Sequence, residues 1–466
     1  MVIAKKVASV LLACVLPATA RADVWVVDKS GGGDFTQVQP AVDAAQPGDS
    51  VLVRPGLYSA FTLTKPLYVI GSGPGFVRVG RFARCELLGL FGSAGLGCDD
   101  YANDPGLTIQ GIGEGELAMV SGMEIRGSSH YSDPSGVVHV SGNAGLVVLH
   151  DLSVAETQYS LIGPGALGGI LEPVYMGPAL RVEDSDFVLV SSSELHGQDN
   201  KLYFDSVKLN DVWIDTPDDA VHVANSTLWL THSTARGGEV GLHGLNGGAG
   251  VLLEDSVLYA AGSTITGGSA GIGFPGLPGV VGEPADGVHS SNSAVKAVAG
   301  TVIQGGGSLA DGFALQLETN SVAFVGPDVS TLSLAGDRDF DFVDASAILV
   351  DLDFQSAALF SDTPAVAPGE AWDVTLRGGA ADLALLYYSP VLTKGIGDPA
   401  VDGLFALSLT SYYFHGMRTL DAAGEATFTL PIPSQPVLSG LVVFLQGLEV
   451  GPTYLGVSNP LPLVVL

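Results

Sequence analysis

Three cysteines, four tryptophans and 19 lysines plus arginines are what these 466 residues hold least of. So few cysteines exclude a disulfide-built scaffold and leave too few thiolates for a four-cysteine zinc site. The scarce basic residues stand against 49 Asp plus Glu, a formal net charge of −30 at pH 7. Such a surface repels nucleic acid and anionic membrane, and admits a polyanion only where divalent cations bridge the two. No apolar run beyond the N-terminus is long and charge-free enough to span a bilayer. Also missing are a phosphate-binding glycine loop, zinc-ligand spacing and a nucleophile elbow.

What is present begins with an export signal. Lys5 and Lys6 precede an apolar stretch, Val7 to Leu16, and Ala20-Arg-Ala22 forms a small-x-small cleavage site. This order predicts a secretory signal peptide over residues 1–22. Leu11-Leu-Ala-Cys14 also resembles a lipobox, in which Cys14 would carry the lipid, and both readings export the chain. Cleavage after Ala22 removes three positive charges and no negative ones, moving the balance to −33. Cys85 and Cys98 then remain, and an oxidising compartment favours a disulfide between them. Closing so small a loop contributes on the order of 3 kcal/mol.

Glycine is 63 of 466 residues, which with abundant Val, Leu, Ser and Thr predicts short strands joined by tight turns. The mature start is a strand, Val24 to Val27, then a Gly-rich turn. Next comes a helical stretch whose Phe35, Val38, Val42 and Ala45 share one face. Thr36 and Gln39 have capping-box spacing, and Pro47-Gly48 ends the helix. Short strands follow at Ser50–Val53, Phe61–Leu63 and Leu67–Ile70. A helix ahead of stacked strands suits a β-solenoid, whose open apolar end needs a cover.

Asp34-Phe-Thr-Gln-Val-Gln-Pro-Ala-Val-Asp-Ala-Ala-Gln-Pro-Gly-Asp49, Val51-Leu-Val-Arg-Pro-Gly-Leu-Tyr58 and Lys65-Pro-Leu-Tyr-Val-Ile-Gly71 resemble the opening of pectin lyase-like β-helix proteins, pectinesterases above all. The resemblance covers roughly the first 50 mature residues. It implies a right-handed parallel β-helix with an N-terminal capping helix, and extracellular polysaccharide as partner.

The body repeats without help from that family. Segments of one pattern begin at Gly136, Ala179, Ala220, Gly250, Gly287 and Gly312, and predict a column of Val137, Leu180, Val221, Val251 and Val288. Asp184-Ser185, Asn225-Ser226, Asp255-Ser256 and Asn292-Ser293 mark the next corner. Stacked coils bury inward side chains that one coil cannot bury alone, and the polar corners can satisfy turn amides. The unequal serine spacing fits variable loops or two coils per interval, with Asp205-Ser206 as an intermediate coil. Glycine-rich insertions interrupt the coils at Pro74–Pro105 and Gly267–Gly282. The β-helix is expected over residues 23–355 and a linker over 356–369. Residues 370–466 should form a small β-sandwich-like domain that either binds carbohydrate or caps the solenoid.

Candidate chemistry is sparse. Gly197-Gln-Asp199 resembles the pectinesterase step whose aspartate is the general acid, and Asp218 or Asp219 lies where the nucleophile would follow. The Asp-Phe-Ile-Phe-Gly type run around that nucleophile is absent, and no Arg occurs between Arg236 and Arg338. Asp215, Asp218, Asp219, His222 and His243 resemble the acidic cluster of polygalacturonases. The repeats supply another reading: Asp219 shares a turn slot with Ser135, Pro178, Ala249, Asp286 and Asp311, and His222 aligns with His139 and His289. For a cofactor, Asp286 with Asp311, or the run Asp337, Asp339, Asp341 and Asp344, offers Ca²⁺ hard oxygen ligands. Two functions from different classes stay open: a protein that binds or processes polysaccharide, and a non-catalytic surface scaffold.

Overall fold

The computed structural model describes residues 22–80, 105–127, 136–156, 177–199, 218–240, 246–270, 284–307, 312–332, 341–352, 356–397 and 401–466. The export signal, Cys14, Cys85, Cys98, Asp205, Asp215, His243, Asp311, Asp337 and Asp339 lie outside them. Among the described residues no helix is long and apolar enough to cross a membrane.

Short parallel strands stack coil upon coil from Val24 to Asp351. One face is a nine-stranded sheet that takes one strand per coil, from Phe61–Leu63 through Val221–Ala224 to Asp341–Val343. An eighteen-stranded sheet makes the rest, as two ladders joined where the long strands Leu117–Gly127 and Leu146–Glu156 run through both. The chain body is a parallel β-helix. Its entry is covered by α1 (Val38–Ala44), which buries Val38, Ala41 and Val42. Lys65 closes that helix by donating to the carbonyls of Val42, Asp43 and Ala45.

The expected capping box does not form. Gln37 is the N-cap and makes no side-chain cap hydrogen bond. Because the helix starts as late as Val38, Gln39 sits within its first turn and bonds outward instead. Its Oε1 accepts the Thr62 amide at 2.7 Å and its Nε2 donates to Asp43 at 2.8 Å.

Inside the coils, Phe61, Leu107, Val138, Leu180, Val221, Val251, Val288 and Leu315 stand in register. All are buried. The sequence frame put Val137 in this column and began the last repeat at Gly312; the register selects Val138 and Ala314. Two consecutive valines at the first place and two small-apolar pairs, Gly312-Phe and Ala314-Leu, at the second leave the frame open, and pairing chooses the one that turns His139 and Gln316 outward.

Two devices hold the corners. Ser185, Ser226, Ser256 and Ser293 each donate an amide to the next coil's serine hydroxyl, ending at Ser321, at 2.9 to 3.3 Å. The preceding Asp184, Asn225, Asp255 and Asn292 take φ of 45° to 50°, a left-handed turn that Asp and Asn tolerate. Ser185 bonds Ser226 directly across 41 residues, and the strands Leu180–Glu183 and Val221–Ala224 pair directly, so these two corners belong to neighbouring coils. Replacing Ser256 by alanine strips the Ser226 amide of its acceptor, at an expected cost of about 1–3 kcal/mol. Denaturant unfolding checks this: the midpoint should fall with an unchanged slope, and an unmoved midpoint would leave the ladder without energetic weight.

The second device is glycine. Backbone bonds run along the solenoid from Gly238 to Asp218, Gly248 to Gly238, Gly268 to Gly248, Ala285 to Gly268 and Gly306 to Ala285, each from amide to carbonyl at 2.7 to 3.1 Å. At Gly268 a Cβ would lie 1.9 Å from the Gly238 carbonyl oxygen. Coils approach this closely only where side chains are missing.

The C-terminal strands form smaller sheets. Ala358–Phe360, Ala371–Arg377 and Glu425–Pro431 make one; Leu383–Ser389, Tyr413–Thr419, Val442–Val450 and Leu461–Val465 belong to another. Trp372, Val374, Leu376 and Phe428 of the first share a core with Ala384, Leu386, Leu445 and Leu461 of the second. The segment expected as a linker is part of this sandwich: Ala358–Phe360 pairs with the strand of Arg377, and Ala365–Val366 pairs with Val464 and Val465. Apolar Ala357, Ala358 and Leu359, all buried, explain why it does not stay extended in solvent.

The sandwich lies along the solenoid's flank. Phe187, Leu189, Trp229 and Tyr259 face outward from the eighteen-stranded sheet into one cluster with Leu392, Leu407, Val442 and Phe444. Trp229 stacks on Tyr259 with centroids 4.3 Å apart. His150, fully buried at the same junction, contacts the Pro364 carbonyl through Nε2 at 2.8 Å and Ser191 through Nδ1 at 3.1 Å.

Candidate functional site

With one flank covered, the nine-stranded sheet presents its outer face. Its strands alternate buried and half-buried positions, as a sheet with one wet side must. The outward register runs Thr108, His139, Arg181, His222, Leu252, His289, Gln316. The expected histidine alignment is therefore a real row, one side chain per coil. Two residues further along each strand lies a second row: Ser141, Glu183, Ala224, Glu254, Ser291, Glu318.

The rows interlock. His139 Nε2 is 3.4 Å from Glu183, and Arg181 pairs with the same carboxylate. His222 Nε2 is 3.3 Å from Glu254, while His289 is 3.1 Å from Asp286 and 3.6 Å from Glu318. The hydrogen bond that His289 donates to Asp286 raises its pKa, against burial and with help from Glu318 and Asp219. Glu183 is lowered, because Arg181 and His139 outweigh its burial. A shallow groove of about 580 Å³ opens at the corner of this face, between Thr64, Gln110, Gly111, Ser141, Gly142 and Asp184.

The candidate catalytic residues sit at turns and in the outward row. Asp199 accepts the Glu239 amide at 3.0 Å and has His196 Nε2 at 3.4 Å. Asp219 accepts the Ala249 amide at 2.6 Å. Burial raises the Asp219 carboxyl pKa, offset in part by that amide and by His222 and His289. Asp218 contributes its carbonyl to the glycine corner by accepting the Gly238 amide. His222 belongs to the row. What gathers is Asp219, His222, Glu254, His289 and Asp286 around neighbouring coils, with Asp199 tied to a different turn.

The calcium pairing changes as well. Asp286 accepts the Phe313 amide at 3.1 Å, so Phe313 takes the equivalent corner in the next coil, where the sequence frame had Asp311. Asp219 and Asp286 thus do the same work, each closing the following coil's turn. Among the described residues no group of three or more His, Cys, Asp or Glu side chains is placed to hold a metal.

No family model and no curated protein matches the chain. Solved structures similar to it include the catalytic domain of a GH87 alpha-1,3-glucanase in complex with nigerose, 11% identical, TM-score 0.30, over 72% of this chain and 66% of that one. Another is Escherichia coli alpha-2-macroglobulin activated by porcine elastase, 13% identical, TM-score 0.17, over 25% of this chain and 13% of that one. Likeness this low assigns no activity here.

One feature lay outside every sequence expectation. Tyr387, Phe405, Tyr412 and Phe414 cluster on the sandwich, and Tyr388 and Tyr413 stack at 5.3 Å on the other side of the same strand pair. The run Tyr412-Tyr-Phe414 was the signal for it, since three adjacent aromatics cannot all face one core.

Proposed function

We propose that this chain is a secreted protein that binds extracellular polysaccharide along the open face of the nine-stranded sheet. The observation that carries the reading is the outward row from His139 to Gln316, repeated once per coil on the face the sandwich leaves uncovered. Neighbouring strands stand ~4.8 Å apart, so the row offers donors and acceptors at a regular step to a polymer of repeating rings. Imidazole, guanidinium and amide groups meet hydroxyls as donors, and the parallel carboxylates accept.

The test is binding of the whole chain to a panel of neutral and acidic polysaccharides, with calcium and with chelator, read by calorimetry. At least one should bind, and Arg181→Ala should weaken it, since a hydrogen bond to a charged group contributes about 1.5–3 kcal/mol, roughly ten- to a hundredfold. Product release from the same panel separates processing from binding. No binding anywhere, or full binding by the variant, would overturn the track. The second reading, a surface scaffold, is favoured by the lateral pairs themselves, because His139 with Glu183 and His222 with Glu254 already satisfy each other across coils.

A further inference from the structure

The sandwich carries an exposed aromatic surface. Tyr387 sits at its centre, with ring centroids 5.8 Å from Tyr412, 5.5 Å from Phe414 and 6.2 Å from Phe405. Phe405 in turn meets Tyr412 edge-on at 5.8 Å. Tyr412 is 43% and Phe414 54% exposed, and Met417, further along the same strand, is 63% exposed. Rings that pack on one another yet keep this much area in water form a rigid apolar platform. Exposed platforms of this kind mark binding surfaces.

We infer that this platform binds the apolar C–H faces of neutral pyranose rings, as a second carbohydrate site independent of the track on the solenoid. Three observations select that occupant. First, two of the platform's four rings, Tyr387 and Tyr412, carry phenol hydroxyls beside their aromatic faces, which matches a sugar ring with C–H faces and hydroxyl edges; a purely aliphatic partner would leave the hydroxyls idle. Second, a net charge of −30 opposes both an anionic ligand and a second copy of this chain, while a neutral sugar meets no such field. Third, the surface continues into an interface already formed. Tyr387 and Phe405 also pack against the cluster that joins sandwich to solenoid, so their rings are held in place from beneath.

The strand Tyr413–Thr419 ends its sheet, and an open edge could pair with another chain. Here the edge is guarded. Its pairing with the strand Leu383–Ser389 shifts register between Leu386 and Tyr387, and Arg418 carries a charge along it. Irregularity and charge are what keep natural edges from adding strands. The faces of the rings stay available when the edge does not.

The experiment uses the full chain and three neutral probes, the hexaoses of β-1,4-glucan, β-1,4-mannan and β-1,4-xylan, with binding read by calorimetry and saturation-transfer NMR. At least one hexaose binds, and its saturation transfer comes from aromatic protons. Phe414→Ala and Tyr412→Ala each weaken it by about tenfold, in line with a lost stacking contact, whereas Lys29→Ala, at an exposed residue that belongs to neither site, leaves it unchanged. Both positions are largely exposed, and circular dichroism confirms that the variants fold. The inference is overturned if no hexaose binds, if both variants bind as the parent does, or if Lys29→Ala weakens binding as much as they do. It is equally overturned if sedimentation shows a dimer that Phe414→Asp dissociates, for the patch is then a contact between copies. Loss of the solenoid track alone, with the platform intact, leaves this site standing.

Discussion

Gly268→Val should prevent the solenoid from closing at its glycine corner. Gly268 donates to Gly248 at 2.7 Å and accepts from Ala285 at 3.1 Å, so its backbone is fixed from both sides. A Cβ there would stand 1.9 Å from the Gly238 carbonyl oxygen, an atom of the backbone with no rotamer to escape into. Relief requires moving whole coils apart, which breaks hydrogen bonds above and below. Overpacking of this kind costs about 3 kcal/mol or more, a large part of the roughly 5–15 kcal/mol that keeps a domain folded. The expected result is a much lower unfolding midpoint and a poor soluble yield. Gly416→Ala, where a Cβ meets nothing within 4 Å, is the control and should change little. A Gly268→Val chain as stable as its parent would mean the coils are not packed as described.

Acid should loosen the joint between sandwich and solenoid through one ring. Burial pushes His150 down to about 4 from an ordinary 6.5, against its contacts with Pro364 and Ser191. The folded chain thus holds the imidazole neutral in a range where the unfolded chain takes up a proton. This contribution is complete above pH 6.5 and declines as pH falls from 6.5 towards 4, by about 3 kcal/mol in all. Burial also raises Asp151 to about 6 and Glu449 to about 7, and these act in the opposite sense. Their stabilisation is present at low pH and is lost as pH rises through those values. The measurement is therefore a difference: stability of the parent minus that of His150→Gln, followed from pH 7.5 to 4. That difference should shrink as pH drops below 6.5, and a flat curve would dissociate His150 from the acid response.

The coils were legible because their two signals are local. An apolar residue beside a small one marks the inward turn, and Asp or Asn before Ser marks the corner whose left-handed backbone those residues accept. Frame was harder, since Gly136-Val-Val and Gly312-Phe-Ala fit the inward pattern in more than one way and only pairing with a neighbour decides. Docking of the sandwich had a signal too. Phe187-Val-Leu-Val190 is apolar throughout where a one-sided strand would alternate, and a strand buried on both faces reads that way. The acidic candidates were ambiguous for a plainer reason. An aspartate that closes the next turn and one that delivers a proton look alike in a sequence, and the contacts with the amides of Ala249 and Phe313 come into view only once the coils are stacked. The aromatic platform was written in Tyr412-Tyr-Phe414, but a strand of the C-terminal sheet has to reach the edge before those rings find water.

Because Phe187, Trp229 and Tyr259 rely on Leu407, Val442 and Phe444 for shelter, tail and coils are bound to a common fate. A gene that lost the last hundred codons would encode a rod with an oily stripe down one side, and a tail grafted elsewhere would carry the matching stripe. Exchange of one part without the other is closed to this pair unless both surfaces change together.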